Sequence, residues 1–142
     1  MKIRQDFVTN SSSSSYIIAY QKLPEVDAET LKKYPILSCI NTLIEAVLFA
    51  KSDYNDTTAG KKIASKKELD AHFLEYYCWD STLEKAFEED EWLKEQYNKC
   101  LAAIERGYNI LIKSVDYSDD TVSDMLRTMG DSNCGIEIIN CD

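Results

Sequence analysis

Apolar side chains recur along this chain at two periods. Tyr16-Ile17-Ile18-Ala19-Tyr20 is a continuous run of β-branched and aromatic residues and reads as a buried strand of about five residues. Residues 108–115 (YNILIKSV) and 136–141 (IEIINC) share that character and predict a second and a third strand. Elsewhere the spacing is helical. Ile36, Leu37, Ile40, Leu43, Ile44, Val47 and Leu48 stand three or four apart, which makes one wide apolar stripe. This is the most hydrophobic helix of the chain, so it belongs in the core or at a subunit interface.

Caps and breakers set the boundaries. Asp27 suits the start of a short helix over residues 28–34, and Pro35 either ends it or opens the next. Ser65 with Glu68, and Ser81 with Glu84, fit capping boxes. The first opens a helix through Leu69, Phe73, Tyr76 and Tyr77. The second opens a long helix over residues 82–106, which Gly107 stops. Its inward positions include Phe87 and Leu93, and Asp90 falls between them. A carboxylate on that stripe implies a tilted helix or a partly buried, paired Asp90, with Trp92 either turned outward toward a protein contact or packed under a loop. Val122, Met125, Leu126 and Met129 define a last helix before Gly130. Residues 52–65 read as the longest loop.

The expected fold is therefore α/β and helix-rich: a small three-stranded sheet with helices packed on it, in one domain over residues 1–142. Residues 1–15 read as an extended or flexible N-terminal arm. Strand, helix and strand at the end predict a C-terminal parallel βαβ unit with a right-handed crossover.

Charge and cysteine content narrow the chemistry. Sixteen Lys and Arg against 25 Asp and Glu leave a net charge of −9. Such a surface repels phosphate backbones, which makes nucleic acid an improbable partner. No segment is apolar enough to span a membrane, and no secretory signal opens the chain, so the expected location is the cytoplasm. The five cysteines, Cys39, Cys78, Cys100, Cys134 and Cys141, are odd in number and lack a Cys-x-x-Cys spacing. They predict free thiols, without a disulfide framework or a zinc site. No metal site, cofactor or catalytic set is expected.

Two features could carry a ligand. The run Ser11, Ser12, Ser13, Ser14 and Ser15 offers hydroxyls and backbone N–H groups to an anion, or acceptors for modification. Without glycines it departs from a phosphate-binding loop, and a polar turn explains it as well. Asp116 closes the second strand, with Ser118, Asp119 and Asp120 just beyond. These groups could hold Mg²⁺ or a ligand at a strand's carboxyl end, or simply cap the next helix. The serines and Asp116 share one end of the sheet only if the first strand runs antiparallel. His72 is the only histidine; a Cys78–His72 nucleophile pair would need two different helix faces to meet. Lys61, Lys62, Lys66 and Lys67 form the one basic concentration and could meet an acidic partner.

The opening Asp6-Phe7-Val8-Thr9-Asn10 with its five serines and Tyr16-Ile17-Ile18 resembles a segment that begins many otherwise dissimilar uncharacterised bacterial proteins. It covers about 18 residues here. The resemblance implies a bacterial origin and a shared tag or arm handled by a common partner, with no activity attached.

Three functions follow as expectations. The first is a small binding or regulatory module acting through protein–protein contacts, with a protein partner or a homodimer formed through residues 36–50. The second is a small enzyme with metal-assisted phosphoryl or nucleotide chemistry at residues 116–120. The third is a substrate modified on Ser11 to Ser15.

Overall fold

The computed structural model describes residues 13–50, 60–116, 120–132 and 135–141. In chain order the elements are β1 (Ser13–Tyr20), α1 (Ala28–Lys33), a 3-10 turn (Pro35–Cys39), α2 (Ile40–Leu48), β2 (Lys61–Ile63) and α3 (Lys66–Tyr77). There follow α4 (Leu83–Glu89), α5 (Glu91–Glu105), β3 (Asn109–Asp116), α6 (Asp120–Asp131) and β4 (Ile136–Cys141).

The sheet has four strands in the order β2-β3-β1-β4, and every neighbouring pair is antiparallel. This corrects the expected three-stranded sheet and the C-terminal parallel βαβ unit. β3 and β4 are both antiparallel to β1, so they point the same way, and α6 does connect them. But β1 lies between them and takes their hydrogen bonds. Two strands that flank a third cannot form a parallel ladder with each other. The fourth strand, β2, was expected as loop. It has three residues, of which only Ile63 is buried, too few to show a period in sequence.

β1 sits in the centre because both of its faces are apolar. Tyr16, Ile18 and Tyr20 join Leu111, Val115 and Ile136 under α2 (Ile44, Leu48) and α6 (Leu126). Ile17 and Ala19 join Ile110 and Ile63 under α3 (Leu69, Phe73), α4 (Ala86) and α5 (Leu93, Tyr97, Cys100, Ala103). The result is a sheet covered by helices on both faces, with a separate core on each. Each fully buried Leu, Ile or Phe contributes about 1.5–3 kcal/mol relative to exposure.

The caps at Asp27 and Ser65 form as read: Asp27 accepts from Thr30 N and Ser65 from Glu68 N. The second helix start is one residue later than expected, with Thr82 accepting from Lys85 N. The long helix over 82–106 is two helices. Asp90 is extended (φ −135°, ψ 98°); its N–H donates to Ala86 O, ending α4. Its carboxylate accepts from Leu93 N and opens α5. That is why an acid stands on the inward stripe. The break also turns Trp92 inward, half-buried against the α3–α5 core rather than outward.

Candidate functional site

The antiparallel pairing of β1 settles where the serines lie. Ser13 stands opposite Asp116, Ser14 opposite Val115 and Ser15 opposite Ser114. Ser13 to Ser15 and the carboxyl end of β3 therefore meet at one end of the sheet. Ser14 is buried, Ser15 half-buried and Asp116 half-buried. Ser11, Ser12, Ser118 and Asp119 lie outside the described residues. Asp120 is the first residue of α6.

Just inside this end, Tyr16 and Lys113 are paired across β1 and β3. Both point to the α2–α6 face, by the two-residue alternation through Leu111 and Val115. The Tyr16 hydroxyl and the Ser123 hydroxyl of α6 lie 2.8 Å apart. Burial, with the neighbouring Cys141 thiol, holds the Tyr16 phenol above its ordinary range against the opposing pull of Ser123. Lys113 is 2% exposed, and its ammonium donates to Ala50 O just beyond α2. Sequence reasoning passed over Lys113, yet the signal was present: it occupies an inward position of a strand. A buried ammonium needs close acceptors, and here it ties the exit of α2 to the sheet. Chemically, this end of the sheet is a structural lock of a tyrosine, a serine and a lysine. Among the described residues no group of three or more His, Cys, Asp or Glu is placed to hold a metal.

The other sequence candidates separate. β2 sends Lys61 and Lys62 to opposite faces, so the basic cluster is divided. Lys61 lies 3.6 Å from Glu75 and over the Tyr76 ring, and Lys66 lies 2.8 Å from Asp70. His72 is 4% exposed among the rings of Phe73, Tyr76 and Tyr77. Its Nδ1 has no hydrogen-bond partner among the described residues. Burial, helped by the charge of Lys61, pushes its pKa down to about 4, so the ring is neutral near pH 7.

A concave site lies at the opposite end of β1. A pocket of about 250 Å³ opens beside Tyr20, Asn41, Ile44, Glu45, Phe49 and Lys62. One wall is built by Asn41, whose side chain accepts from Leu23 N at 2.8 Å and donates to Leu23 O at 3.0 Å. That double bond clamps the chain after β1 onto α2. The Tyr20 and Phe49 rings meet edge-on at 5.9 Å and form the floor. No periodicity pointed to this pocket, because its residues come from four separate segments, Asn109 of β3 included.

The apolar stripe of residues 36–48 is wider than the core beneath it. Ile44 and Leu48 are buried, and Ile40 and Val47 are half-buried against the α2–α6 core. Ile36 is 64% exposed and Leu43 41% exposed. Over residues 35–50 the only charged side chain is Glu45.

No family model matches the chain, and no curated protein or solved structure matches it significantly. Among the described residues no helix is long and apolar enough to cross a membrane.

Proposed function

We propose that this protein is a small binding module acting through protein–protein contacts, and that the outer stripe of α2 and the preceding turn pairs it with a second copy. The observation that carries this reading is the stripe Ile36–Ile40–Leu43–Val47, left partly uncovered on a segment whose only charged side chain is Glu45. Contiguous exposed apolar surface of this kind marks contact sites more often than chance exposure does. A charge of −9 makes copies repel. A nearly uncharged stripe is therefore the surface on which two copies can meet at least electrostatic cost, and a symmetric pair would use it on both sides. The same acidity argues against nucleic acid as the partner. We place the module in the cytoplasm, where exposed free thiols such as Cys39 and Cys141 remain reduced.

Sedimentation equilibrium tests the reading. The wild-type chain is expected to approach twice 16.3 kDa as concentration rises, and the double variant Ile36→Glu with Leu43→Glu to remain monomeric with an unchanged circular dichroism spectrum. A wild-type monomer at every concentration contradicts it.

A further inference from the structure

We draw no further inference here: the strongest candidate, the pocket of about 250 Å³ between the end of β1 and α2, carries nothing, because the Tyr20 hydroxyl beside it is fully buried and the Lys22, Glu45 and Lys62 side chains around it show no mutual geometry that points to a ligand.

Discussion

The Tyr97 hydroxyl of α5 donates to the Asp70 carboxylate of α3 at 2.5 Å, and Lys66 donates to the other oxygen of the same carboxylate at 2.8 Å. Two donors on one acid join the helices that cover one face of the sheet. Tyr97 also sets its ring edge-on against Phe73 at 5.3 Å, so the polar bond and the aromatic core are held by one side chain. Partial burial raises the Asp70 pKa, but the bonds from Lys66 and Tyr97 outweigh it and leave the carboxyl below its ordinary value of 3.8.

Tyr97→Phe keeps the ring and removes the bond. It should lower stability near neutral pH by about 1 kcal/mol, less than is usual for a bond to a charged group, because the carboxylate is part-exposed. A carboxyl whose folded pKa is depressed contributes stability above its unfolded pKa and loses it as pH falls through the folded one. The gap between wild type and Tyr97→Phe should therefore narrow as the pH is taken from about 7 to about 3. Urea unfolding at the two ends of that range measures it.

His72 predicts an acid dependence of opposite origin. Its folded pKa, about 4, lies below the ordinary 6.5, so the unfolded chain takes up the proton first. Stability attributable to His72 is complete above about pH 6.5 and declines as pH falls toward 4, by up to about 3 kcal/mol. In NMR titrations the ring protons should keep neutral shifts through pH 6 and move only near 4. A midpoint near 6.5 in the folded protein would show that the ring is solvated rather than buried.

Gly135 opens β4 with φ +78°, and a Cβ there would stand 2.8 Å from Gln21 O. That carbonyl belongs to the residue whose N–H donates to Gly135 O at 2.9 Å, so the close approach is part of the pairing of β4 with the end of β1. Gly135→Ala should cost about 1–3 kcal/mol through strain and the shifted backbone, seen as a lower urea midpoint.

Local structure was legible in this sequence where a short-range signal existed. The Ser65–Glu68 cap, the Asp27 cap, the bounds of β4 and most of the α3 and α6 stripes follow from short-range signals, although Tyr76 and Met125, read as inward, are exposed. What was not legible was set by contacts between distant segments. Nothing in YNILIKSV states that β1 inserts between β3 and β4; the continuous apolar run of Tyr16 to Tyr20 marks β1 as buried on both faces but does not say which strands flank it. Asp90 was visible as an anomaly on the 87–93 stripe, and its cause, a helix break, emerges only from its extended backbone. For the candidate sites, the rule that Ser13 and Asp116 meet if β1 is antiparallel was deducible, and the direction itself was not. The Tyr20 pocket had no sequence signature, because Tyr20, Asn41, Lys62 and Asn109 converge from four segments.

The claim that the outer stripe of α2 is a contact between two copies is tested most directly at Cys39. Its thiol is exposed at the end of the Pro35–Cys39 turn and donates to Ile36 O at 3.2 Å, so it reports from within the stripe. Cys141 is exposed on β4 and Cys100 is buried, its thiol pushed up to about 12 by that burial; they serve as open and closed references. Thiol labelling read by peptide mapping over a range of protein concentrations should show Cys39 slowing severalfold as copies associate, Cys141 constant and Cys100 unreactive. A Cys39 rate that tracks Cys141 at every concentration would contradict the account.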